Sequence, residues 1–205
     1  MLQYQTVEQS TLGLLKNILQ QPVFKNHRLV GGTSLALQYG HRLSIDLDFF
    51  TSEFIEHEEI LINIKSIGKV DVVSKSKYIS CFFINDVKVD FVSLPYHWID
   101  DPIIEDSISL ASINDIAAMK LSAITNRGSK KDFIDLQLIM KHLELKKMMS
   151  LYHQKYPDGM EMLVLRSLIY FDDADLQPDP VMLTEYDWNE VKAFILDQVK
   201  RYIGG

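Results

Sequence analysis

The sequence predicts an α+β fold: a short sheet formed by the first half of the chain, followed by a helical second half. Three observations carry this reading. Residues 44–50 alternate apolar and polar side chains with a period of two, stretches 69–74, 78–84 and 87–94 are rich in β-favouring residues, and helical periodicity dominates from residue 112 onward.

Taken in order, Leu12, Leu14, Leu15, Ile18 and Leu19 recur near a 3.6-residue spacing, which predicts an amphipathic helix ending before Pro22. Residues 27–30 run into Gly31-Gly32-Thr33-Ser34, read as a tight turn opening a short helix that Gly40 closes. A strand follows, with Ile45, Leu47 and Phe49 on one face and Ser44, Asp46 and Asp48 on the other. Asn85-Asp86 joins the last two β-rich stretches as a two-residue hairpin turn, so this region reads as mostly antiparallel sheet. Ser112 and Asp115 have the spacing of a capping box ahead of a long apolar-periodic run. The expected division is therefore 1–108 for the sheet region and 109–205 for the helical region, with the change of character falling between residues 102 and 112.

Composition narrows the function classes. The 205 residues are 47% hydrophobic, enough for a sizeable core, and the formal charge of −7 argues against a protein that coats nucleic acid nonspecifically. A single cysteine, Cys81, can form neither an internal bridge nor a cysteine-based metal site, which fits a reducing cytoplasm. No apolar run reaches the roughly 20 residues of a membrane span, and the first residues lack a signal-peptide pattern, so a cytoplasmic protein without a membrane partner is expected. Charge is uneven: residues 120–147 hold seven basic and three acidic side chains, a local surplus that reads either as a solvated face or as a local basic track.

Asp46 and Asp48 lie two apart on the expected strand, so their carboxylates leave one face with α-carbons about 6.6 Å apart, close enough to share a hard cation. If 87–94 is a neighbouring strand, Lys88 and Asp90 share one of its faces and Asp90 becomes a third oxygen ligand. Three carboxylates suit Mg²⁺, and two such ions about 4 Å apart would stabilise the attacking and leaving oxygens of a phosphoryl or nucleotidyl transfer. A bare D-x-D is equally the mark of a solvated sheet face. The glycine pair adds to the pattern, because backbone N–H groups at a helix start hold phosphate, with Thr33 and Ser34 as further hydroxyl donors.

The stretch LVGGTSLALQYGHRLSIDLDFF, then VKVDFV, then AAMKLSAITNRGSKKDFIDL, together with FDDADLQPDPVML and WNEVKAFI near the end, resembles the AbiEii/AbiGii-type nucleotidyltransferase toxins of bacterial abortive infection. The resemblance implies the nucleotidyltransferase-superfamily fold, a short mixed sheet flanked by helices with a helical C-terminal half. It further implies nucleotide transfer from an NTP, in some members onto a tRNA end, by a toxin that acts beside a cognate antitoxin or in phage defence. Carried over by position, Gly31, Gly32 and Thr33 match the nucleotide-binding signature, with Ser34 beside them. Asp46 and Asp48 match the metal pair, and Asp90 the third carboxylate, a metal ligand and the base for the acceptor hydroxyl. Lys120, Arg127, Lys131, Asp132 and Asp135 match the third motif. There Lys120 and Asp132 are the expected catalytic residues, and Lys120, Arg127 and Lys131, with Arg42 from the first motif, the expected NTP contacts.

Each assignment has a structural counterpart. Asp132 and Asp135 also suit ion pairs with Lys131, Arg127 or Lys120 that pin two helices together. Arg42 equally suits neutralisation of the Asp46 and Asp48 pair, and His41 a structural place. Two other functions compete. A haloacid-dehalogenase-type phosphatase would use the D-x-D with a later acidic pair such as Asp172 and Asp173, although its glycine turn would follow the D-x-D and its strands would form a parallel series. A catalytically inactive nucleotidyltransferase-like module would bind partners without NTP chemistry.

Overall fold

The computed structural model describes residues 1–204, and the chain divides into two compact units, Met1–Ser112 and a second beginning at Ile113. The first unit contains helices α1 (Gln9–Leu19), α2 (Gly31–Tyr39) and α3 (His57–Ile64) and strands β1 (Arg28–Leu29), β2 (Leu47–Thr51), β3 (Val70–Lys75), β4 (Ile79–Ile84), β5 (Val87–Ser93), β6 (Ile103–Glu105) and β7 (Ile108–Leu110). These strands form one sheet in the order β3-β4-β5-β2-β1-β7-β6. The sheet is mixed, since β2 runs parallel to β5 and β1 parallel to β7 while the remaining pairings are antiparallel. Four of the six pairings among the described residues are antiparallel, as the local hairpins predict, whereas β2 finds β5 across two intervening strands.

Period two decides which side of the sheet is dry. Leu47 and Phe49 of β2, Phe82 and Ile84 of β4, and Val89 and Phe91 of β5 are buried in one apolar core with Leu14, Leu15 and Ile18 of α1 and Ile60 and Ile64 of α3. Phe91 stacks on Phe24 at 4.7 Å and on Phe49 at 5.3 Å between ring centroids. The intervening residues, Asp48, Lys88 and Asp90 among them, therefore leave the opposite face.

The expected strand at 44–50 is shorter than its pattern. It starts at Leu47, so Asp46 precedes it, and Ile45 is exposed instead of sharing the core with Leu47 and Phe49. The region expected to link the two halves is a hairpin, β6 with β7, whose turn residues Asp106 and Ser107 both adopt positive φ. Asn85 and Asp86 make the same kind of turn between β4 and β5. Because β7 pairs with β1, the sheet unit runs to Ser112, beyond the expected boundary at 108.

The second unit is helical, with α4 (Ile113–Asn126), α5 (Lys130–Met140), α6 (Leu145–Lys155), α7 (Glu161–Leu168), α8 (Asp172–Asp175) and α9 (Trp188–Gly204). Helix α4 packs against α5, α6 and α7. Asp115 of α4 accepts a hydrogen bond from Lys155 Nζ of α6 at 2.8 Å, an ion pair in which both side chains are buried. Phe133, Phe171 and Trp188 form an aromatic cluster with centroid separations of 4.8 to 6.0 Å. No helix among the described residues is long and apolar enough to cross a membrane.

Candidate active site

The site in the sheet unit is assembled by strand register. In the parallel pair β2 and β5, Asp48 stands directly opposite Asp90, so two carboxylates belonging to different sequence motifs leave the same face of neighbouring strands. Lys88, two residues before Asp90, also projects there, and its Nζ donates to Asp90 Oδ2 at 2.5 Å. Burial pulls the Lys88 ammonium down, but the bond to Asp90 and the charges of Asp90, Asp48 and Asp46 outweigh it and hold the group above its ordinary value. Lys88 is thus a counter-charge to this carboxylate group. Sequence reasoning placed it on this face without giving it a role; its i, i+2 relation to Asp90 was the available signal.

Gly31 and Gly32 lie against these side chains. Gly31 has φ +68, in the left-handed region that favours glycine, and a Cβ there would lie 2.6 Å from Asp48 Oδ2. The Val30 N–H donates to the Asp48 carbonyl at 2.8 Å, so backbone as well as side chain of β2 meets the start of α2. At Gly32 a Cβ would lie 2.2 Å from Arg42 Nη2; the missing side chain makes room for a buried guanidinium, whose Nη1 donates to the Leu43 carbonyl at 3.0 Å. The first N–H groups of a helix have no partners within the helix, and at α2 they begin beside Asp48.

Thr33 and Ser34 do not serve as outward hydroxyl donors here. Both are buried: the Thr33 hydroxyl is hydrogen-bonded to Ser44 Oγ at 2.8 Å and donates to the Asp46 carbonyl, while Ser34 Oγ accepts from Gln38 Nε2 at 3.2 Å. Thr33 therefore ties the glycine turn to the backbone of Asp46, which fixes the residue that carries the first carboxylate.

Asp90 Oδ1 is buried without a hydrogen-bond partner, the carboxylate atom of this group left unsatisfied. An orphaned buried carboxylate oxygen beside a second carboxylate is a hard-oxygen donor set of the kind that suits Mg²⁺. Among the described residues no group of three or more His, Cys, Asp or Glu side chains is drawn together tightly enough to hold a metal ion. Lys88 Nζ is a cation standing among the carboxylates.

In the helical unit the third motif folds into a buried charge cluster. Lys120 Nζ of α4 lies 2.9 Å from Asp132 Oδ1 and 2.6 Å from Asp135 Oδ2 of α5, and all three side chains are almost wholly buried. Arg127 Nε donates to Asp132 Oδ2 at 2.9 Å, and Ser129 Oγ donates to the same oxygen at 2.5 Å. Burial pushes Asp132 up, yet Lys120, Arg127 and Ser129 together hold its carboxyl well below the usual carboxylate range. Lys131 is exposed on α5. These contacts take two members out of the apparent basic track: Lys120 is internal, and Lys130 is buried with its Nζ on Asp179 at 3.0 Å. Asp172 and Asp173, the imitation of a phosphatase acidic pair, are exposed on the four-residue α8.

With this geometry in view, the family model described as "Nucleotidyl transferase AbiEii toxin, Type IV TA system" matches residues 13–201. The chain belongs to the AbiEii nucleotidyltransferase toxin family. An uncharacterized protein of Aquifex aeolicus (strain VF5), aq_aa25, is 33% identical over 201 residues, covering 92% of this chain and 94% of that one. The nucleotidyltransferase toxin MenT4 of Mycobacterium tuberculosis H37Rv superposes with a TM-score of 0.60 at 15% identity, over 93% of this chain and 80% of its own. The antibiotic-resistance factor ANT(2″)-Ia, solved with adenylyl-2″-tobramycin, superposes with a TM-score of 0.55 at 15% identity, over 73% of this chain and 98% of its own. The AbiEii chain has the nucleotidyltransferase fold, and its enzymatic class is nucleotidyltransferase.

Proposed function

We propose that this AbiEii-family protein transfers a nucleotide from an NTP to an acceptor hydroxyl at a tRNA 3′ end, in the cytoplasm, as the toxin of a toxin–antitoxin or phage-defence pair. The observation that carries the chemistry is the register of Asp48 against Asp90, with Gly31 packed on Asp48 and Asp90 Oδ1 buried without a partner. Asp46, Asp48 and Asp90 are the residues that would hold Mg²⁺, drawn in from the looser spacing they have here, and the ion would supply charge neutralisation at the phosphates. The glycine turn holds the phosphate chain through its N–H groups, and Arg42 beside Gly32 fixes the turn and adds positive charge. Asp90 is the base that takes the proton of the acceptor hydroxyl as pyrophosphate leaves, with Lys88 on its Oδ2 orienting the carboxylate. Of the third motif, Lys131, exposed on α5, is the cation offered to the NTP; Lys120 is enclosed by Asp132 and Asp135 and Arg127 is held by Asp132, so these two brace the motif instead of meeting the NTP.

The test is to incubate the protein with each labelled NTP, Mg²⁺ and total RNA, and to identify the molecule that gains label. Label on tRNA, lost with EDTA and in Asp48→Asn, is the expected outcome. Label on a protein with RNA unlabelled would remove the tRNA acceptor and leave nucleotidyl transfer intact.

A further inference from the structure

Within the helical unit a cavity of about 360 Å³ opens where the end of α4 meets α7 and the turn that follows it, with Asn126, Arg127, Arg166, Ser167, Tyr170 and Asp173 in its lining. Its volume falls at the small end of ligand sites, which run from about 300 to 1,000 Å³, and so suits one nucleotide unit. Two guanidiniums share it. Arg127 is held by Asp132, whose two oxygens take Nε and Nη2 at 2.9 and 3.2 Å, so the plane of the guanidinium is preset while its side chain remains 61% exposed. Arg166, in the last turn of α7, is exposed and makes neither an ion pair nor a hydrogen bond within the described residues. A cation in a last helical turn answers the helix dipole; that accounts for Arg166 being basic but not for its sharing an open cavity with a second arginine.

The rest of the lining narrows the ligand. The ring of Tyr170 is about half exposed, a flat apolar surface in a hollow of mixed polar and apolar lining. Asp173 is an exposed carboxylate that a simple anion site would exclude and that can accept a hydrogen bond from a ligand hydroxyl. A ribonucleotide supplies all three complements: a phosphate for the arginines, a base for the aromatic ring, and a 2′-hydroxyl for the carboxylate.

We propose that this cavity seats one ribonucleotide of the acceptor strand, with its phosphate on Arg127 and Arg166, its base against Tyr170 and its 2′-hydroxyl donating to Asp173. The inference rests on the proposed RNA acceptor for its identity and not for its chemistry. It also narrows the expected basic track: Lys120 and Lys130 are turned inward, and the cavity adds two arginines to the exposed lysines that remain.

The test uses the full chain and a fluorescein-labelled single-stranded RNA 10-mer, read by anisotropy, with NTP affinity measured separately by calorimetry. Arg166→Ala and Tyr170→Ala each weaken RNA binding about tenfold and leave NTP affinity unchanged. Arg166→Ala also reduces the slope of log Kd against log salt by about one, and Arg166→Lys recovers part of the affinity. DNA of the same sequence binds more weakly than RNA, and Asp173→Asn narrows that gap. RNA affinity unchanged in both alanine variants, or no measurable RNA binding by the parent protein, overturns the proposal. An equal loss of NTP affinity overturns it too, by giving the cavity to the free nucleotide. Absence of nucleotide transfer by the parent protein, with RNA binding intact and sensitive to Arg166, would instead strike the proposed activity and spare the cavity.

Discussion

Gly31 shows how narrowly a single position is constrained. Its backbone sits at φ +68 and its missing side chain leaves the space occupied by Asp48 Oδ2. Gly31→Ala should therefore cost about 1 kcal/mol in backbone strain alone and displace the Asp48 carboxylate as well. Transfer should fall far more than thermal stability, which a comparison of labelling rate with Tm checks. Asp48→Asn has the opposite balance, because it relieves repulsion in the carboxylate group: stability should hold or rise while transfer is abolished. His27 gives a separate pH signature. Its ring is buried beside Phe24 and Phe91, and burial pushes its pKa down to about 4 in spite of Glu53's charge. A folded-state value below the unfolded one means the unfolded chain takes up the proton first, so stability is complete above about pH 6.5 and falls as pH drops toward 4. The loss is about 3 kcal/mol over that window, and urea titrations of His27→Leu should show it removed.

At the scale of elements, α4 and α5 are joined by charge as well as by apolar packing. Lys120 faces two buried carboxylates, so Lys120→Ala leaves Asp132 and Asp135 short of their common partner and should destabilise the protein by about 3 to 5 kcal/mol. Lys146→Ala and Lys147→Ala remove the same charge from exposed positions on α6 and should change stability by less than about 0.5 kcal/mol. Denaturant midpoints of the three variants decide this, and equal midpoints would contradict the buried cluster. Asp132 adds an acid limit. Its carboxyl is held low, so its stabilisation is present above the ordinary carboxylate range and is lost as pH falls beneath it, below the window in which His27 acts.

For the molecule as a whole, a formal charge of −7 sets how RNA can be met. With Lys120 and Lys130 turned inward, only a few phosphate contacts are available, so labelling of a tRNA end should fall steeply between low and physiological salt. A protein acceptor would show little salt dependence. Charge reversal at Lys130 is no test of RNA contact, since it breaks the pair with Asp179; Lys141, exposed just after α5, remains usable.

Period two at Leu47 and Phe49, the Asn85-Asp86 turn and the helical repeat after residue 112 are local signals, and local sterics and burial were enough to read the α+β class and most strands from them. The motif residues were likewise legible as a set: Gly31, Gly32, Asp46, Asp48 and Asp90 in one half, Lys120, Arg127 and Asp132 in the other. The β6–β7 hairpin was not, because its strands are only three residues each, too short to show an alternation of period two. Only the tertiary structure decided that Asp48 stands opposite Asp90, because a parallel pairing across two intervening strands leaves no spacing rule in the chain. It also decided which charges face water. Lys120 and Lys141 are both lysines on an amphipathic stretch, and what separates a buried counter-ion from a solvated one is the position of Asp132 and Asp135 on a second helix, a three-dimensional fact that periodicity along one helix does not contain.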